Sequence, residues 1–175
     1  MNTYTPEIDT LATDWFRRCR ESQRVHYEYG SSLEKRNYWL GVPTIILSTA
    51  VGTAVFASIE SSTASAKYGL WCGLVSMTAA ILAALQTFLN LPDRAAKHKA
   101  AGARYGAIRR RLEVLKTIPP ATADEMRAEL AEIKDQMDCL AAEAPGIPSS
   151  VKQRIDREMK STEHLRIFHL KSKSG

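Results

Sequence analysis

Between Asn37 and Asp93 the sequence carries only two charges, Glu60 and Lys67, and they leave two uncharged stretches, Tyr38–Ile59 and Tyr68–Pro92, of 22 and 25 residues. A helix rises about 1.5 Å per residue, so the shorter stretch reaches roughly 33 Å, against a bilayer hydrocarbon core of about 30 Å. Each is long enough to cross a membrane. The competing arrangement is a buried helix pair in a soluble protein. It needs enough surrounding chain to cover two such helices, and 175 residues leave little. The predicted fold class is therefore an all-α membrane protein, with two transmembrane helices in an antiparallel hairpin and long cytoplasmic helices forming a bundle.

Whole-chain averages hide this division. A mean hydropathy of -0.24 with 45% apolar and 25% charged residues would suit an ordinary soluble domain. The net charge of +5 comes from the segment after the second stretch, where residues 93–175 hold 17 Lys and Arg against 12 Asp and Glu. Residues 1–37 balance 6 with 6. The 20 positions before Asn37 contain 6 basic residues, the 20 from Asp93 to Leu112 contain 7, and the connection between the stretches contains only Lys67. By the positive-inside rule both termini face the cytoplasm. A secretory signal places its apolar core directly after a short basic start, whereas 37 residues precede the first stretch here, so it is expected to stay as an anchor. Cys19, Cys72 and Cys139 have no paired spacing, which argues against a disulfide framework or a zinc site and fits a reducing compartment.

The chain divides accordingly into a cytoplasmic N-terminal helix (1–37), a first transmembrane helix (38–59), a short extracytoplasmic loop (60–67) and a second transmembrane helix (68–92). A cytoplasmic helical hairpin (93–144) follows, then a Pro-containing linker, an amphipathic helix and a tail (145–175). Thr5 and Pro6 suit a helix start, with the hydroxyl capping free amides and proline in the first turn. In the first span Thr44, Ser48, Thr49 and Thr53 are candidate pore-lining residues, since Thr44 with Ser48 and Thr49 with Thr53 each share a face. The alternative is that each hydroxyl bonds the carbonyl one turn back. Gly52, with Gly69, Gly73, Ser76, Ala80 and Ala84 of the second span, forms small-residue positions for helix packing or oligomerisation, because small residues let backbones approach closely in lipid.

Beyond the spans, Ala101, Tyr105, Ile108, Leu112 and Leu115 repeat at heptad spacing, as do Met126, Leu130, Ile133, Met137 and Leu140. Pro119 and Pro120 separate the two repeats, and Thr122 with Glu125 reads as a capping box. This pattern predicts paired helices. Pro145, Gly146 and Pro148 end the second of them, and Val151, Ile155 and Met159 suggest a last amphipathic helix.

Residues 94–116 hold 8 basic side chains against one acid, Glu113. Arg94, Lys97, Lys99, Arg104, Arg109, Arg110 and Arg111 are candidate contacts for lipid headgroups or for a nucleotide. No helix-turn-helix, zinc or RNA-binding signature accompanies the charge, so direct nucleic-acid binding is not expected. The four histidines stand in no metal-ligand array, no acid pair is placed for hydrolysis, and no phosphate loop is present. Neither an enzyme nor a cofactor is expected.

Several short motifs stand in order around the two spans: RVHY at Arg24–Tyr27, WLGVP at Trp39–Pro43, FLNLPDRAAKH at Phe88–His98, the stretch Ala101–Arg109, and APGIP at Ala144–Pro148. Together they resemble the SLATT domain, a two-helix bacterial membrane module of nucleotide-sensing conflict systems. The positions carrying the likeness are His26, Tyr27, Gly41, Pro43, Asp93, Arg94, His98 and Tyr105. The resemblance implies a pore-forming or membrane-perturbing effector of antiphage immunity, acting by abortive infection in the bacterial inner membrane. Its implied partners are membrane lipid, further copies of itself, and a nucleotide second messenger or a separate sensor protein. The chain departs from family members that carry a fused sensor. A reading of another class is a non-conducting scaffold that recruits a partner protein through its cytoplasmic helices.

Overall fold

A computed structural model of the chain describes residues 5–60 and 66–166. Those residues form α1 (Pro6–Glu60), α2 (Ala66–Leu89), α3 (Leu91–Thr117), α4 (Ala123–Glu143) and α5 (Ser149–Arg166), with no strand among them. The centre of the expected loop at 60–67, and the end of the expected tail, lie outside the described residues. The chain forms two compact units, a first of Met1–Gly30 with Ala96–Gly175 and a second of Ser31–Ala95.

The second unit contains both apolar stretches. Two helices are long and apolar enough to cross a membrane, and in each the apolar window has a mean hydropathy of 1.8 with 6% of it buried. A helix serving as the core of a soluble protein would be covered instead. Trp39, Phe56, Trp71 and Phe88 are all more than two-thirds exposed. α1 passes through Pro43 without a break, although proline removes an amide donor. Next to it the Thr44 hydroxyl donates to the Leu40 carbonyl at 2.7 Å. The less exposed positions of α1 in this unit include Leu33, Asn37, Leu40, Thr44, Leu47 and Val51, and those of α2 are Cys72, Val75, Ala79, Leu82, Gln86 and Leu89. Both sets recur at threes and fours, the spacing of a helix–helix seam. The two helices contact each other at Gly41, where an added Cβ would stand 2.9 Å from the Gln86 side-chain nitrogen.

The small-residue positions are not at this contact. A Cβ added at Gly52, Gly69 or Gly73 would meet nothing within 4 Å, and Ser76, Ala80 and Ala84 are exposed. Their stripe faces away from α1 because it lies about a third of a turn around α2 from Val75, Ala79 and Gln86. Helix α2 itself ends at Leu89. Asn90 takes a left-handed conformation at φ 42°, which asparagine tolerates better than most residues, and α3 starts at Leu91 with Pro92 in its first turn.

In the first unit the two heptad repeats close into one core. Ala101, Tyr105, Ile108, Leu112 and Leu115 of α3 pack with Met126, Ile133 and Leu140 of α4 and with Ala12 and Cys19 of α1, while Leu130 and Met137 lie at its margin. The capping box forms as expected: the Glu125 amide donates to Thr122 Oγ1, and the Thr122 amide donates to the Glu125 carboxylate, each at 3.2 Å. Ile155 of α5 is fully buried, and nothing is described of the Met159 side chain. Arg111 bonds Glu129 and Glu132, and Arg104 bonds Glu143, so partner numbers fall as one moves up α3. Lys116 reaches Asp9 at 2.9 Å and Thr13 at 2.7 Å on α1.

Two glycines set the approach of α3 to α1 in this unit, and they predict opposite responses. A Cβ at Gly102 would meet the Tyr27 ring at 3.1 Å and the Gln23 carbonyl oxygen at 3.3 Å, one of them main chain. At Gly106 it would meet only the movable amide end of Gln23, at 2.8 Å. Gly102→Leu is expected to cost about 1–3 kcal/mol by overpacking. Gly106→Ala, which gains up to about 1 kcal/mol in helix propensity, should melt at or above the wild-type temperature. Thermal unfolding followed by circular dichroism checks both.

Candidate functional site

The first unit buries two polar side chains that no ion pair explains. RVHY sits on α1 so that Val25 and His26 turn inward, at 4% and 5% exposure, while the Tyr27 ring lies over Gly102. His98 stands in the second turn of α3 at 2% exposure. Although 72 residues apart in sequence, the two imidazoles meet with their Nδ1 atoms 3.1 Å apart. Tyr105 stacks on His26 with centroids 5.7 Å apart, and Tyr29 meets His98 edge-on at 4.7 Å.

At that separation only one hydrogen fits between the nitrogens, so one ring donates and the other accepts, and the two must hold complementary tautomers. A proton on both would place two donors face to face. Burial, and then the neighbouring His98, pull His26 down to about 4, so it is neutral at neutral pH. Burial also raises the Tyr105 phenol, which Ser22 hydrogen-bonds, and pushes the Cys19 thiol up to about 11. That cysteine is therefore an inert core residue rather than a reactive one. Among the described residues no group of three or more His, Cys, Asp or Glu converges as metal ligands do.

His26 and Tyr105 also form the floor of a cleft of about 640 Å³ within the same unit. Its sides are α1 from Arg18 to Val25, the Ala144–Ile147 segment, and Lys152 and Asp156 of α5. Three of the sequence motifs, RVHY, the stretch containing Tyr105, and APGIP, thus converge on one cavity. The rim carries two cations, Arg18 and Lys152, and two carboxylates, Glu21 and Asp156. Arg18 is also held by Asp14 at 2.8 Å.

The basic stretch is divided among different tasks. Arg104 and Arg111 are engaged by carboxylates of α4; hydrogen bonds to those carboxylates raise both guanidinium groups, and the guanidinium groups in turn hold Glu143 and Glu132 low. Arg109 stands 3.7 Å from Glu113 and 6.0 Å from the Phe16 ring centre. Arg94, Lys97 and Arg110 are exposed and Lys99 is half-buried. Of the hydroxyl residues, Thr44 is half-buried toward the α1–α2 seam, while Ser48, Thr49 and Thr53 are exposed. Thr49 and Thr53 donate to the carbonyls of Ile45 and Thr49, at 2.8 and 2.9 Å.

The histidine pair had a sequence signal. His26 continues a seven-residue period, Ala12, Cys19, His26, Leu33, and His98 continues another, Leu91, His98, Tyr105, Leu112. All of these residues are buried. A search for metal or catalytic spacing misses histidines placed at core positions of two separate helices.

A family described as Mobilome CxxCx(11)CxxC protein matches residues 17–154. The three cysteines form no CxxC pair, so whatever those paired thiols do elsewhere in that family, this chain has no residues to do it. No curated protein and no solved structure matches the chain.

Proposed function

This chain belongs to the Mobilome CxxCx(11)CxxC protein family, and we propose that it is an oligomeric membrane effector, pore-forming or membrane-disrupting, in bacterial antiphage defence by abortive infection. A nucleotide signal or a sensor partner is the trigger. In this reading the apolar parts of α1 and α2 span the inner membrane as an antiparallel hairpin, and both termini lie in the cytoplasm with the remaining helices bundled there.

The observation that carries the reading is the exposure of the apolar helices. Only 6% of either apolar window is buried. Two helices per chain cannot enclose a conducting path, so conduction requires several copies. The open stripe of Gly69, Gly73, Ser76, Ala80 and Ala84 supports close approach of a second copy. Thr49 and Thr53 lie on the exposed surface, and a hydroxyl that donates to a carbonyl still has lone pairs to accept from water. Thr44 faces the intrachain seam and is the weaker candidate. A trigger opens such an assembly only by binding the open arrangement more tightly than the closed one.

Induced expression with the cognate sensor active is expected to arrest growth and discharge a membrane-potential dye. A Thr49→Leu, Thr53→Leu variant should assemble normally and conduct less. Undisturbed potential and viability at high expression, or a strict monomer by mass measurement in detergent with and without candidate nucleotides, overturns the proposal. In the scaffold alternative, Ile133, fully buried in the core, and Leu130, at its margin, offer little exposed surface to a partner. A partner protein would have to be bound elsewhere on the first unit.

A further inference from the structure

The cleft over His26 has a feature that no side chain supplies. Ala144 leaves α4 in an extended conformation, at φ -63° and ψ 135°, and residues 145–148 adopt no helix before α5. Among the described residues neither Gly146 nor Ile147 makes a hydrogen bond. One wall of the cleft is thus a short non-helical main chain in which Gly146 and Ile147 make no hydrogen bond within the described residues, flanked by two prolines that cannot donate. Main-chain N–H and C=O groups left without a partner can pair with the main chain of another segment.

Charge narrows the occupant further. The two cations and two carboxylates of the rim sum to zero, and Asp14 already shares Arg18. A ligand with several phosphates would bring like charge against Glu21 and Asp156, which costs affinity. A segment carrying both signs satisfies the whole rim. The volume of about 640 Å³ lies in the range filled by a small molecule or a few residues, not by a folded domain.

We propose that this cleft binds an extended peptide segment of a partner protein, with a basic and an acidic side chain within a few residues of each other. The segment pairs its main chain with the N–H and C=O of Gly146. Its acid meets Arg18 and Lys152, and its base meets Glu21 and Asp156. At the cleft floor it rests on His26, whose other side is bonded to His98, so occupancy bears directly on the contact of α1 with α3. The inference rests on the proposed effector reading, in which a sensor partner supplies the trigger.

The test pans a displayed random heptapeptide library against the detergent-purified full chain, then measures binding of enriched synthetic peptides by fluorescence anisotropy. Enriched sequences are expected to hold both charge signs. Gly146→Pro, which deletes an exposed amide donor, and the separate reversals Lys152→Glu and Asp156→Lys should each weaken binding tenfold or more with the melting temperature unchanged. Absence of enrichment, equal binding by all three variants, or displacement of the peptide by a cyclic dinucleotide or ATP overturns the proposal. Peptide binding without any conductance removes the effector reading alone. Conductance in a chain that binds no peptide removes this one.

Discussion

Ile133→Asp is expected to abolish the cooperative melting of the first unit, whereas Val114→Asp should leave it near the wild-type temperature. Ile133 is 0% exposed at the centre of the core, and Val114, on the neighbouring helix, is 60% exposed. An unpaired carboxylate at the first position costs about 4–5 kcal/mol or more, because no cation of the core is there to receive it. A domain stabilised by about 5–15 kcal/mol has little left after that. At Val114 the same carboxylate stays in water. Circular dichroism melts of the full chain, with hydrogen exchange read along α3 and α4, make the comparison. A cooperative transition for Ile133→Asp within a few degrees of wild type contradicts the packing described.

The second large effect is on pH. His26 has a folded value of about 4 against 6.5 when unfolded, and a neutral buried base binds fewer protons than the unfolded chain does. Above pH 6.5 the group is neutral in both states and contributes no pH dependence. As pH falls from 6.5 toward 4, only the unfolded state takes up the proton, so stability declines, by up to about 3 kcal/mol over the whole window. Below about 4 the folded state protonates as well and the decline from this group ends. Carboxylates contribute later: Asp14, Glu132 and Glu143 are held low chiefly by hydrogen bonds from Arg17, Arg111 and Arg104. Their stabilisation is present above their ordinary values near 4 and is lost below them. The interval from pH 6.5 to 5 therefore isolates the histidine. Replacing the pair together, His26→Phe with His98→Leu, should flatten the melting temperature across that interval. An unchanged slope in the double variant places the titrating group elsewhere.

Much of the fold was legible because it depends on local rules. The uncharged stretches, the Pro119–Pro120 break, the Thr122–Glu125 box and both heptad faces follow from composition or from periods of three to seven residues. The α2–α3 junction is hard to read in the sequence because a single left-handed residue, Asn90, leaves only a faint mark in an otherwise apolar run. The division of the basic stretch among different partners leaves no mark in the sequence, because neighbours along a helix point to different faces. In space Arg104 and Arg111 are bonded by carboxylates of α4 that lie 18 to 39 residues away in sequence.

By itself, then, the sequence determined that this chain is helical, where its apolar helices lie, and which faces of α3 and α4 are dry. Periodicity and length suffice for those, since each is a property of one helix at a time. Only the tertiary structure decided that His26 and His98 meet through their Nδ1 atoms, that three motifs line one cleft, and that the small-residue stripe of α2 looks outward. Each of these depends on the rotation of one helix about its axis relative to another, and a turn of 100° per residue moves a side chain from core to surface without changing any local pattern.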